Sequence, residues 1–215
     1  MEHPVVSREA WLKARADLLE REKQHTRARA ALAEARRALP WVRIEKNYSL
    51  IGAEGEVSLS DVFQGCSQLA IYHIMFGPGW DSVCVGCTQW ANAMSSTTGA
   101  FKNADARLIG VSRAPYEEIA SEQAKLGWDF AWLSSYDSDF NLDFFASNND
   151  LGEGTTAFVG EETLGFDRGE NHGVNVFYRN EDDEIFHTYS AFNRGIEALN
   201  GAFGYFDLLP KGRAW

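Results

Sequence analysis

The chain has 215 residues, 45% of them hydrophobic and 13% aromatic, enough to bury an ordinary core without disulfide staples. Three cysteines are too few for a disulfide framework, and neither a signal-peptide core nor a membrane-length apolar run is present, so a cytoplasmic protein is expected. The net charge of −11 is uneven: residues 1–46 carry eleven Lys/Arg against seven Asp/Glu, residues 47–215 nine against twenty-four, an acidic body that repels nucleic acid and anionic lipid.

Residues 7–39 read as one long helix, with Ser7 as N-cap and Pro40 as stop. Trp11, Leu18, His25, Leu32 and Leu39 recur every seven residues, with Leu12 and Leu19 widening the stripe and Ala14, Ala28 and Ala35 beside it. Such a stripe buries itself against the chain's own body or against a second copy, so a homodimer through this helix is one of two expectations. The domain reading is a helical arm over 1–40 and a larger domain over 41–215.

Beyond Pro40, Trp41-Val42-Arg43-Ile44 and Val57-Ser58-Leu59 alternate like a strand pair around a turn at Gly52-Ala53-Glu54-Gly55. A helical turn from Ser60 ends near Gly65, and the apolar run 69–76 reads as a buried strand. A helix opens at Cys84, a strand follows over 106–111, and a helix runs from Tyr116 to Leu126 with Pro115 at its start. Phe130–Leu133 is a further strand. Residues 134–172 read as a long loop with short elements. Strands 173–178 and 185–189 flank a polar turn as a hairpin, and a last helix spans roughly 195–203.

The chemistry concentrates at Cys84-Val85-Gly86-Cys87. A C-x-x-C pair at a helix start after a strand is the arrangement of dithiol redox proteins. Unpaired N–H groups and the helix dipole favour thiolate there. Cys84 is the expected nucleophile and Cys87, one turn in, the resolving thiol. Parallel strand–helix units followed by a hairpin and a helix form a thioredoxin-like α/β fold: a central mixed sheet flanked by helices, here with a long N-terminal helical arm. Right-handed crossovers bring the ends of the 69–76 and 106–111 strands to one crevice, beside Ser112 and Arg113. Arg113 is a candidate to stabilise the Cys84 thiolate. Asp81 is a candidate to tune it or to cap the helix, and Ser112 lies in the same crevice.

At these residues the chain resembles a bacterial thioredoxin-like family of unknown function whose members are predicted dithiol–disulfide oxidoreductases. The matching segments are Arg36–Pro40, Tyr72-His73, Met75–Pro78, the C-x-x-C pair, Ser112–Pro115, Gly127-Trp128, Ser134-Ser135, Asp139-Phe140-Asn141, Asp143-Phe144, Phe186–Ser190, Arg194-Gly195, Pro210 and Gly212-Arg213. The resemblance implies the fold and a redox role, with protein or small-molecule thiols and disulfides as partners and no cofactor beyond the dithiol. Val85 stands where much of that family carries proline. Thioredoxins carry a cis-proline before the hairpin, and His172 or Gly173 takes that place here.

Two alternatives stand beside the redox reading. Some thioredoxin-like copper-delivery proteins pair two cysteines with a distant histidine, which would make Cys84, Cys87, His172 and His187 a metal site; zinc would need two further ligands, Cys66 or histidines. Peroxiredoxins space a Pro, a Thr or Ser and a Cys in a fixed pattern; Pro78, Ser82 and Cys84 come near it, with the cysteine one residue early. Trp80, Trp90, Trp128 and Trp132 are expected near the crevice, as docking floor or core.

Overall fold

The structure, a computed structural model, describes residues 3–148 and 169–213. The chain divides into two compact units, residues 1–40 and 41–215. The first is helix α1 (Arg8–Arg37), and Ser7 caps it by accepting from the Ala10 N–H. Arg36 and Arg37 sit in its last turn, where cations suit the negative end of the dipole. No α1 residue is buried.

The second unit is built on one eight-stranded sheet among the described residues, in the order β1-β8-β7-β4-β5-β6-β2-β3. In chain order the strands are β1 (Val42–Arg43), β2 (Ser49–Gly52), β3 (Gly55–Ser58), β4 (Gln68–His73), β5 (Ala106–Ser112), β6 (Trp132–Ser134), β7 (Gly173–Arg179) and β8 (Ile185–Phe192). The helices are α2 (Leu59–Val62), α3 (Val85–Lys102), α4 (Tyr116–Leu126) and α5 (Phe140–Asp143), then a 3₁₀ helix (Asn193–Leu199) and α6 (Gly201–Phe206). Strands β4, β5 and β6 run parallel, and β7 joins β4 antiparallel. This is the expected mixed sheet flanked by helices.

One pairing differs from the expectation. The turn at Gly52–Gly55 closes a tight hairpin, but its first arm is Ser49–Gly52, with Gly52 opposite Gly55. The 41–44 segment pairs instead with β8 at the far edge, Val42 opposite His187. The reason is loop length: two residues between Gly52 and Gly55 bring the immediately flanking residues into register and leave 41–44 outside the hairpin. The loop expected over 134–172 contains α5; its residues 149–168 lie outside the described ones.

The alternation along β4 sends its side chains to two separate cores. Tyr72 and Ile74 join Cys87, Ala91, Met94, Trp128, Trp132 and Val174 on the face covered by α3 and α4. Leu69 and Ile71 join Leu50, Leu59, Phe63, Ile109, Val111, Phe140, Phe144 and Phe177 on the other face, beneath α2 and α5. Helix α4 ends at Gly127, whose left-handed φ of 68° terminates the hydrogen-bond ladder at no steric cost.

Candidate functional site

The cysteine motif is suspended from the end of β4. Past His73 the chain keeps pairing with β5 for one step, Ile74 N–H donating to the Val111 carbonyl. Met75 then holds both ends of the motif: its carbonyl accepts from the Cys84 N–H at 3.1 Å, and its N–H donates to the Cys87 sulfur at 3.4 Å. The intervening loop is tied to α4 through Gly79 N–H and Glu118 Oε2 at 3.2 Å.

Cys84 is the N-cap residue of α3, with no side-chain cap on that helix. An N-cap side chain ordinarily accepts from the second or third helical N–H. The Cys84 side chain makes no such bond, and its thiol lies at the positive end of the α3 dipole. Cys84 is half-buried and Cys87 buried, and neither is in a disulfide. The two sulfurs are in hydrogen-bonding contact, and that contact is the main cause holding the Cys87 thiol well above its ordinary value. Burial and the charge of Cys84 add to it. The pair is therefore asymmetric: Cys87 keeps its proton while Cys84 sits at the helix tip.

Tyr72 completes this face. It is 3% exposed. Its hydroxyl acts on the Cys87 sulfur but makes no well-formed hydrogen bond to any group in this state. Burial, then the nearby cysteine charge, pushes its acidity far down, so it stays a protonated donor. Trp128 and Trp132 are buried in this core, with Trp80 and Trp90 packed against it.

The residues expected to tune the thiolate have other partners. Ser112, fully buried, donates to the Ile74 carbonyl at 2.6 Å and accepts from Trp132 Nε1 at 2.9 Å, so it ties strand ends together. Arg113 Nε pairs with buried Glu170 at 2.5 Å, and the charge foreseen for Cys84 is compensated there. Asp81 is exposed and does not cap α3.

The metal alternative needs correction. His187 lies on the opposite face of the sheet from the cysteines, packed on Phe144 and Phe177, so it cannot join Cys84 and Cys87 around one ion. His172 sits instead against Trp90 of α3, with ring centroids 5.4 Å apart. Cys66 precedes the opposite end of β4, about 20 Å from the motif at strand rise. Among the described residues no group of three or more His, Cys, Asp or Glu is arranged to hold a metal ion.

Beneath the same strand ends lies a polar cluster that sequence reasoning missed. Asn175 donates to the Phe144 carbonyl at 3.0 Å and lies 2.9 Å from His73 Nε2. Its Oδ1 accepts from Ser190 Oγ at 2.5 Å and His187 Nε2 at 3.0 Å. A bulge makes this possible. Val176 faces Tyr189 while Phe177 faces His187, so Thr188 is the extra residue, and His187 and Ser190 point to one side although three apart. Glu170, 2% exposed, also accepts from Ser147 at 2.7 Å; burial raises its pKa against the pull of Ser147, Arg113 and Asn141. The available signal was the face shared by Asn175 and Phe177, two apart on β7.

The sequence profile of a family of bacterial proteins of unknown function, DUF899, matches residues 1–215. The chain belongs to this family. No curated protein is significantly similar in sequence to this DUF899 member. Among solved structures it is similar to a cysteine-to-serine mutant of PrxQ from Xylella fastidiosa, at 16% identity and TM-score 0.51, covering 77% of this chain and 95% of that one. It is also similar to the bacterioferritin comigratory protein of Xanthomonas campestris, described for alkyl peroxide reduction, at 15% identity and TM-score 0.50, covering 73% and 88%. At these identities the likeness shows the fold alone: the DUF899 chain has the thioredoxin-like fold of peroxiredoxins. No helix among its described residues is long and apolar enough to cross a membrane.

Proposed function

We propose that this protein exchanges dithiols and disulfides through Cys84 and Cys87. The observation that carries the reading is one half-open sulfur at an uncapped helix tip in contact with a second, buried and protonated one. The Cys84 thiolate attacks one sulfur of a substrate disulfide, forming a mixed disulfide and releasing the other half as thiolate, which takes up a proton from water. Cys87 then gives its proton to solvent and attacks the Cys84 sulfur. The Cys84–Cys87 disulfide forms, the second substrate thiolate leaves, and two electrons have passed from protein to substrate. An external thiol reductant closes the cycle. The Cys87 thiolate formed in mid-cycle is buried, and the donors that support it are the Met75 N–H and the Tyr72 hydroxyl. The reading takes protein or small-molecule disulfides as substrates and the reducing cytoplasm as the working compartment.

A second reading, thiol peroxidase, is favoured by the PrxQ-like fold. The same Cys84 would take one oxygen from a hydroperoxide, releasing the alcohol or water. Its sulfenic acid would condense with Cys87, expelling water.

The test is turnover of a model disulfide and of cumene hydroperoxide with dithiothreitol as reductant. Cys84→Ser abolishes turnover. In a single turnover without dithiothreitol, pre-reduced Cys87→Ser stops after one equivalent, with half of the model disulfide held covalently on Cys84, whereas wild type releases both halves. Disulfide turnover without peroxide turnover supports exchange; peroxide turnover alone replaces it with the second reading. Wild-type behaviour of both variants refutes both.

A further inference from the structure

Helix α1 and the turn that follows it carry a row of large exposed apolar side chains, the last of which, Leu39, lies two residues past the helix end. Trp11 is 53% exposed, Leu18 46%, Leu32 51% and Leu39 45%, with Leu12 at 49% and Leu19 at 42%. Four apolar residues at seven-residue spacing form a seam, and this one is symmetric about His25. Trp11 and Leu39 lie fourteen residues either side of it, Leu18 and Leu32 seven. A surface of that kind is complementary to its own copy turned end for end.

Charge selects the direction. Residues 8–22 carry four Lys/Arg and four Asp/Glu, whereas residues 23–37 carry five Lys/Arg and one acid, Glu34. A parallel pair would place two strongly basic halves side by side. An antiparallel pair sets each basic half against a neutral one, brings Glu22 of one copy beside Arg29 of the other, and opposes the helix dipoles. Ala14, Ala28 and Ala35 flank the seam and let the backbones approach closely. The 30-residue helix is about 45 Å long, room for four heptads.

We infer that this chain forms a homodimer by antiparallel pairing of α1 about His25, with Leu18 of each copy packed on Leu32 of the other and Trp11 on Leu39. The polar residue at the centre fixes the register: sliding by one heptad would bury His25 against a leucine and leave Trp11 uncovered.

Two measurements on the full chain test this. In sedimentation equilibrium at 1–100 μM (on the order of ordinary working concentrations for two-stranded helices), wild type is dimeric. The double variant Leu18→Glu/Leu32→Glu is monomeric, and His25→Leu dimerises roughly tenfold or more tightly. For direction, Cys66, Cys84 and Cys87 are replaced by serine, and Leu18→Cys and Leu32→Cys chains are mixed and oxidised. A crosslink between the two different chains is the expected product. Unchanged thermal unfolding of the body in the glutamate variant excludes misfolding as the cause of dissociation. A monomeric wild type, a dimer that survives the glutamates, or crosslinking of Leu18→Cys chains to themselves overturns the inference.

Discussion

The two faces of the central sheet bury polar groups in opposite ways. The α2/α5 face closes most of its polar groups on one another, His73 Nδ1 excepted: Asn175 alone joins His73, His187, Ser190 and the Phe144 carbonyl, and Glu170 answers Arg113 and Ser147. The α3 face holds few polar atoms but leaves one sulfur reachable, with a second sulfur and a hydroxyl short of conventional partners behind it. Density of catalytic-looking residue types is thus a poor guide here. Ser190, His187 and Asn175 contain the residue types of a nucleophile and base, yet their hydrogen bonds are spent holding strands together. The face proposed to react is the sparser one.

The contrast predicts its largest effect in acid. Burial lowers the His73 pKa from 6.5 to about 3 and lowers those of His172 and His187. A histidine depressed in the folded state contributes stability that is full above its unfolded pKa and is lost as pH falls through the folded one. His73 alone accounts for up to roughly 5 kcal/mol between neutral pH and its folded pKa. Glu170, raised by burial, works in the opposite sense: its contribution is full below its unfolded pKa and is lost as pH rises through the folded one. Urea midpoints measured from pH 7 to 4 therefore fall, and His73→Gln, whose side-chain oxygen can still accept from Asn175, flattens that fall. An equal slope in the variant would mean the network does not keep His73 neutral.

The difference between the faces also explains what was legible in the sequence. Helix α4 is read residue for residue because Pro115 and Gly127 punctuate it, and β4, β5 and the β7–β8 hairpin are read from apolar runs. The placement of the C-x-x-C pair is legible because it is local: strand, turn and helix start fall within twenty residues. The opposite face is not local. Glu170 lies 57 residues from Arg113 and Asn175 lies 102 from His73, and no spacing rule links them. Strand order points Arg113 toward Cys84, but it places a residue at a strand end and not its side chain. The bulge at Thr188 was equally hidden, since it reverses the alternation by which facing residues are inferred.

A smaller effect isolates the hydroxyl on the cysteine face. Tyr72→Phe keeps the ring in its core and removes only the donor. A hydrogen bond to a charged group is worth about 1.5 kcal/mol, so resolution of a Cys84 mixed disulfide by Cys87 slows roughly tenfold at pH 7. Because the lost donor acts on the thiolate, the gap between variant and wild type closes as pH rises and Cys87 ionises without help. Cys84 and Tyr72 are the titratable groups that act on Cys87 among the described residues, so the profile reports on this trio. Stopped-flow release of the aromatic thiolate from an Ellman adduct reads the rate; equal rates at pH 7 would show that the hydroxyl is filler.

The smallest effect concerns the residue between the sulfurs. Val85 opens α3 and is 78% exposed. Proline is favoured at a first helical position, because the missing N–H has no helical partner there. Cys84 already has φ −53° and ψ 125°, the extended backbone that a following proline demands. Val85→Pro therefore adds no strain and restricts the unfolded chain, for a gain of about 0.4–1 kcal/mol or about 1–3 °C in melting temperature. The N–H groups that a side chain at Cys84 accepts from belong to Gly86 and Cys87, not to residue 85. Alkylation of Cys84 across pH should then be unchanged while the melting point rises. A shifted alkylation profile would place the Val85 N–H on the sulfur and move the source of thiolate stabilisation one residue toward the helix tip.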